Sequence, residues 1–150
     1  NVAAGSGFSG FWFEVKTRVR GPSFDMHMDM VPNKLDLLKF IDNVSHSNSQ
    51  GLQTYPQAGY RPENLAVFQN HKSFRNRASG IFFHAGGRLS IDGGYISDNK
   101  IGIDIDMDHS DVISNTQIVG SSPAYKAVVD AIGYSASQYP ATSFCDDDDD

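Results

Sequence analysis

A short apolar pattern recurs along this chain at near-constant spacing, and that repeat constrains the fold more than any other feature. Phe74-Arg-Asn-Arg-Ala-Ser-Gly80-Ile81-Phe82-Phe83 aligns without gaps on Ile96-Ser-Asp-Asn-Lys-Ile-Gly102-Ile103-Asp104-Ile105, 22 positions later. The same shift carries Ile91 to Ile113 and Ile96 to Ile118. Looser copies lie upstream, in Asn43-Val-Ser-His46-Ser-Asn48-Ser-Gln-Gly51-Leu52 and in Gly7-Phe-Ser-Gly10-Phe11-Trp12-Phe13. Gly10, Gly51, Gly80 and Gly102 are 41, 29 and 22 residues apart, so the earlier units are expected to carry loop insertions. Fourteen Gly and many Asn, Ser and Asp interrupt the apolar runs every few residues, which favours short strands over long helices.

A period near 22 built from short strands and Asn/Gly turns has a physical solution in the all-β class, the right-handed parallel β-helix. Each coil pairs with the next about 4.8 Å above it. Ile81, Phe83, Ile103 and Ile105 are then expected to stack inside, with Gly10, Gly51, Gly80 and Gly102 serving corners that need unusual backbone angles. Asn48, Asn76 and Asn99 suit corners because Asn tolerates the left-handed region and bonds to nearby backbone. Residues 1–121 are read as coils, 122–144 as a further coil or a short helix ended by Gly133, and 145–150 as a solvated, disordered acidic tail. The coil-like opening Asn1-Val-Ala-Ala-Gly-Ser-Gly suggests one segment of a longer solenoid with flanking domains.

Composition narrows the function classes. The chain has 150 residues, a formal charge of −6 and no Lys/Arg cluster, which argues against a nucleic-acid partner. No run approaches the roughly 20 apolar residues of a membrane span, and no signal peptide is recognisable. The single Cys145 forms neither an internal disulfide nor a Cys-based zinc site, and no nucleotide-binding glycine loop or nucleophile elbow is present.

Taken in order, Asn1-Val-Ala-Ala-Gly-Ser, Gly10-Phe-Trp-Phe, Asn43-Val-Ser-His46-Ser-Asn48 before Gly51-Leu, Tyr55-Pro, and Phe68-Gln-Asn with Phe74-Arg-Asn-Arg before Gly80-Ile form a series. It resembles the β-helix region of the cell-migration-inducing hyaluronan-binding proteins, their transmembrane hyaluronidase relatives and the fibrocystin-like receptors. The resemblance covers roughly residues 1–120 and implies a large secreted or cell-surface ectodomain. It leaves the chemistry open, because that group holds hyaluronan-degrading and receptor-like members.

Several constellations can carry chemistry. In Asp104-Ile-Asp106-Met-Asp108, strand alternation would place three carboxylates on one face, as acid and base for a glycosidic bond or as Ca²⁺ ligands; the same alternation also writes an ordinary solvent face. Asp25-Met-His27-Met-Asp29, if extended, sets Asp25, His27 and Asp29 opposite a Met row and permits a metal; otherwise it is an insertion loop lying on its Met side. His46, His71 and His84 sit near turns or strand ends, and Arg75, Arg77 and Arg88 can pair with a uronate carboxylate. Trp12, with Phe11, Phe13, Tyr55 and Tyr60, offers a sugar-stacking platform. Asn43-Val-Ser45 is a glycosylation sequon.

The resulting expectation is an extracellular glycoprotein segment that binds an acidic polysaccharide such as hyaluronan, with its depolymerisation, as by a hydrolase, left open by the sequence. Asp104, Asp106 and Asp108 would be catalytic, and Arg75, Arg77, His84 and Trp12 would hold substrate. The enzyme reading requires an Asp of this set to converge with a His or Arg of a neighbouring coil. The alternatives are a non-catalytic structural or receptor module that contacts proteins, and a microbial pectate-type enzyme on the same fold.

Overall fold

The computed structural model describes residues 1–54 and 59–131. Its strands are β1 (Val2–Ala4), β2 (Ser9–Trp12), β3 (Phe40–Ile41), β4 (Val44–His46), β5 (Gln50–Gln53), β6 (Ala66–Phe74), β7 (Ser79–His84), β8 (Leu89–Ser97), β9 (Ile101–Asp106), β10 (Val112–Ser114) and β11 (Gln117–Val119), followed by helix α1 (Pro123–Ala131). Every strand pair is parallel. One sheet runs β1-β4-β6-β8-β10, with β3 also on β6 and β11 also on β8; the other runs β2-β5-β7-β9. The chain passes back and forth between the two sheets, so each layer of chain lies on the one before it. Tyr55, Cys145, Gly133 and the expected tail at 145–150 lie outside the described residues. Among those described, no helix is long and apolar enough to cross a membrane.

Parallel pairing puts like residues over like. Phe40, Phe68, Ile91 and Ile113 form one column, and Phe11, Leu52, Ile81 and Ile103 form another. Phe83 pairs with Ile105 and Ile96 with Ile118, as the repeat required, but Ile105 and Ile118, in the last layer described, are exposed rather than enclosed as expected of Ile105. Leu52, Phe68, Ile81, Phe83, Leu89, Ile91 and Ile96 are sealed from solvent. Edge-to-face rings join Phe40 to Phe11 and Phe68 at 5.2 Å, so the insertion that delivers Phe40 also fills the core. Burying each such side chain stabilises the fold by about 1.5–3 kcal/mol.

The register corrects the ungapped alignment. Phe74 pairs with Ser97, an offset of 23, whereas Ile81 pairs with Ile103, an offset of 22. One residue is therefore dropped in the turn between Asn76 and Ser79, where a polar corner absorbs the change without moving the inward set.

The corner residues also work differently from expectation. The left-handed positions are Ser47, Arg75 and Asp98, each one residue before the asparagine. Asn48, Asn76 and Asn99 themselves are buried and form a ladder. Asn99 Oδ1 accepts from the Asn76 backbone N–H and Nδ2, both at 2.9 Å, and Asn76 Oδ1 accepts from the same two groups of Asn48 at 3.1 and 3.3 Å. The glycines sit in ordinary extended backbone beside this ladder, where they permit close approach. A Cβ on Gly51 would lie 2.1 Å from Ser73 Oγ and 2.3 Å from Gly80 O; one on Gly80 would lie 2.6 Å from Gly102 O.

His71 lies in the same interior. Its Nδ1–H donates to Asn43 O at 2.9 Å, and Nε2 is 3.0 Å from Ser45 Oγ, which is 3.0 Å from Ser73 Oγ. Burial pulls the imidazole down to about 4, against the raising effect of the Asn43 carbonyl.

Two outcomes follow. Gly51→Ala is expected to lower stability by about 1–3 kcal/mol in chemical denaturation, while Gly7→Ala, with open space around the new methyl, leaves the midpoint unchanged. In a pH titration followed by NMR, the His71 ring is expected to stay neutral until about pH 4. Because its folded pKa lies below the free value of 6.5, its contribution to stability is lost as pH falls from 6.5 through 4; a midpoint near 6.5 would contradict the buried placement.

Candidate functional site

Strand alternation on the β2-β5-β7-β9 sheet points Ile81 and Phe83 inward and sends Phe82 and His84 the other way, with Asp104 registered on Phe82 and Asp106 on His84. The register brings two expected residues together: His84 Nδ1 lies 2.8 Å from Asp106 Oδ2. A carboxylate held against one ring nitrogen fixes the histidine's tautomer and orientation. Asp104 Oδ2 accepts a hydrogen bond from Ser79 Oγ at 3.4 Å. Trp12 falls on the same register line as Gln53, Phe82 and Asp104. It is 48% exposed and meets Phe8 edge to face at 5.1 Å, while Phe11 and Phe13 pack on the core.

Asp108 departs from the expected carboxylate row. Strand β9 ends at Asp106, and Met107 takes a φ of +57°, which breaks the alternation and turns the chain into a corner. There Asp108 accepts the Gly86 backbone N–H and Asp111 Oδ1 accepts that of Leu89 at 3.0 Å, so two carboxylates clamp the loop of the layer beneath. The second oxygen of each is buried with no hydrogen-bond partner among the described residues. Burial pushes the Asp108 carboxyl up to about 6, reinforced by Asp111 and opposed by the Gly86 N–H and His84. Since that value exceeds the free 3.8, the proton favours the folded state at low pH, and this contribution is lost as pH rises through about 6.

The clamped loop forms one wall of a cleft of about 600 Å³ lined by Lys34, Arg61, Pro62, Glu63, Gly86, Gly87, Arg88, His109 and Ser110. Arg61 Nε donates to Ala85 O at 2.9 Å, and Arg88 Nη1 donates to Pro62 O and Glu63 O, both at 3.1 Å. These bonds fix both guanidinium groups from behind. Among the described residues, none of Lys34, Arg61 and Arg88 is in an ion pair. Of the three, only Arg88 belongs to the Arg group singled out above. Lys34 and Arg61 come from two separate non-repeating insertions, before β3 and after β5, where no period assigns a side chain to a face.

Other expected residues do not converge. Arg75 lies over the Tyr125 ring at 5.3 Å, and Arg77 is exposed in the same turn, at the opposite end of β7 from His84. Asp25, His27 and Asp29 lie in a run of turns closed by backbone bonds His27 N to Phe24 O and Met30 N to His27 O, so the extended alternation expected of them is absent. Met26, Met28 and Met30 are exposed rather than packed beneath the loop. Among the described residues, no three His, Cys, Asp or Glu side chains are grouped to hold a metal ion, Ca²⁺ included. His46 stacks on Phe74 with centroids 4.9 Å apart. Tyr60 is buried, donating to Leu35 O at 2.8 Å, and burial raises its phenol to about 12. Asn43 of the sequon is buried and bonded to Asn1, so the folded chain conceals it.

No curated protein and no solved structure matches the chain. The family model described as CEMIP beta-helix matches residues 1–52, and this is the family that the ordered motifs resemble.

Proposed function

We propose that the stacked layers form part of a right-handed parallel β-helix in an extracellular protein, and that its outer surface binds an acidic polysaccharide such as hyaluronan. The observation that carries this reading is the cleft in which Lys34, Arg61 and Arg88 stand without carboxylate partners among the described residues. Guanidinium groups braced by backbone carbonyls are already oriented, so less side-chain entropy is lost when a uronate carboxylate binds. The family match over residues 1–52 supports the hyaluronan-related, extracellular assignment.

The chemistry beside the cleft suits depolymerisation. His84 and Asp106 come from successive layers and supply a proton-transferring pair at 2.8 Å. Asp108, whose free oxygen is buried, holds the Gly86 loop that walls the cleft rather than meeting substrate. In this reading Asp106 orients His84, His84 moves the proton, and the cleft fixes the polymer's charge. Asp104 and Trp12 extend the surface along the sheet.

The double change Lys34→Ala with Arg61→Ala is expected to weaken binding of hyaluronan oligosaccharides by about tenfold or more, the loss of charge-assisted hydrogen bonds. Titration calorimetry of wild type should also show affinity falling as salt rises. Unchanged affinity in the double variant would remove the cleft from the proposal. Glycan turnover measured with Asp106→Asn in the complete ectodomain tests the catalytic part separately, and unaltered turnover would leave a binding module.

A further inference from the structure

A second concavity, of about 540 Å³, lies on the other sheet and is lined by Asp42, Val44, Asn70, Lys72, Gly94, Tyr95 and Gln117. Its wall is set by register: Val44, Lys72, Tyr95 and Gln117 are paired in turn from β4, β6, β8 and β11, one per layer. We propose that this groove is a binding site for a neutral pyranose chain, stacked on Tyr95 and bonded through Asp42, Asn70, Lys72 and Gln117.

Two glycines shape the backbone beside the concavity, and Gly94 lines it. Strands β6 and β8 bend where Asn70 takes a φ of +50° and Gly93 and Gly94 take +72° and +107°. A Cβ on Gly93 would lie 2.4 Å from Asn70 Oδ1, and one on Gly94 would lie 2.2 Å from His71 O. A side chain at Gly94 would run into the His71 backbone and one at Gly93 into the Asn70 amide, and both glycines hold a left-handed φ.

The polar groups around the concavity are unused. At the other corners, Asn, Ser and Asp side chains are consumed by bonds between layers, as in the Asn48-Asn76-Asn99 ladder and in Asp92, which accepts from Ser114 Oγ at 2.9 Å and Asn115 Nδ2 at 2.7 Å. In the groove, the side chains of Asp42, Lys72, Tyr95 and Gln117 make no hydrogen bond or ion pair to the described residues. Four donors and acceptors converging on one hollow without partners are available to a ligand.

Their chemistry selects its class. One carboxylate and one ammonium leave the groove with no net charge, unlike the cationic cleft. Val44 is the sole aliphatic side chain larger than glycine in the lining, so an apolar anchor finds no pocket. Strands β6 and β8 are paired on both sides, so an extended peptide cannot add to either as a strand, and among the described residues only β11 at the end of the groove has an open side. A sugar ring supplies what remains: an apolar face for the Tyr95 ring and a rim of hydroxyl or amide groups for the polar side chains. The layers repeat at about 4.8 Å, close to the length of one sugar unit in an extended polymer, so successive side chains meet successive units. The volume is within the ordinary range of ligand sites, about 300–1,000 Å³. The inference is independent of the anionic reading of the cleft.

The test uses the whole chain with two uncharged trisaccharides, cellotriose and tri-N-acetylchitotriose, in NMR titrations. Their neutrality leaves the cationic cleft without a charge to recognise. Binding of either, with shifts centred on the backbone amides of Lys72, Tyr95 and Gln117, is expected; preference for the second assigns an acetamido contact. Tyr95→Ala and the exposed-site Gln117→Ala should each weaken the preferred probe, by about tenfold for Tyr95→Ala, with the far-ultraviolet spectrum retained. No binding of either sugar, or affinity unchanged in both variants, would overturn the proposal.

Discussion

Parallel pairing between successive layers is the constraint on which the rest depends. It forces each residue to sit on its counterpart one layer away, so an inward position must tolerate its own kind above and below. Aliphatic and aromatic side chains do so by packing, as in the Phe40-Phe68-Ile91-Ile113 column. Asparagine does so by bonding, because its amide carries both donor and acceptor and can continue a ladder. Glycine does so by having nothing to clash. Where Gly10 and Gly80 adjoin the Asn ladder, the two solutions interlock: the missing Cβ makes room for the amide and for the neighbouring glycine carbonyl, and at Gly51 for the Ser45 and Ser73 hydroxyls.

The same constraint explains what could be read from sequence. Inward hydrophobic positions repeat because both layers need them, so the stacking of Ile81 on Ile103, Ile91 on Ile113 and Ile96 on Ile118 was legible. Corner geometry was not, because a corner tolerates one residue more or less. The left-handed φ falls on Ser47, Arg75 and Asp98, three residues with no shared chemistry, while the recurring Asn beside them marks a bonding role. The residue dropped after Asn76 leaves no mark on the aligned apolar positions for the same reason.

Site residues were legible to the extent that they belong to the repeat. His84 and Asp106 lie on strands whose register follows from the aliphatic columns, so their meeting could be anticipated. Asp108 lies two residues beyond, past a left-handed Met107, and alternation fails there. Lys34 comes from the insertion between β2 and β3 and Arg61 from the one between β5 and β6, and only their three-dimensional paths bring them to Arg88. The segment with Asp25, His27 and Asp29 shows the opposite error: a strict alternation in sequence that turns, not a strand, present to solvent.

Two titrating groups place opposite demands on the fold in one pH range. His71 inside the sheets favours the native state when neutral and opposes it as pH falls from 6.5 toward 4. Asp108 at the outer corner favours the native state when protonated and opposes it as pH rises toward 6. The interior therefore resists acidification while the clamp on the Gly86 loop is relieved by it. Because that loop carries Arg88 and closes one side of the cleft, mild acid relieves the buried charge at the corner while weakening both the Gly86 N–H bond there and the interior that supports it. The balance is local: it arises because burial favours the neutral form of both groups, the imidazole inside the sheets and the carboxyl at the corner.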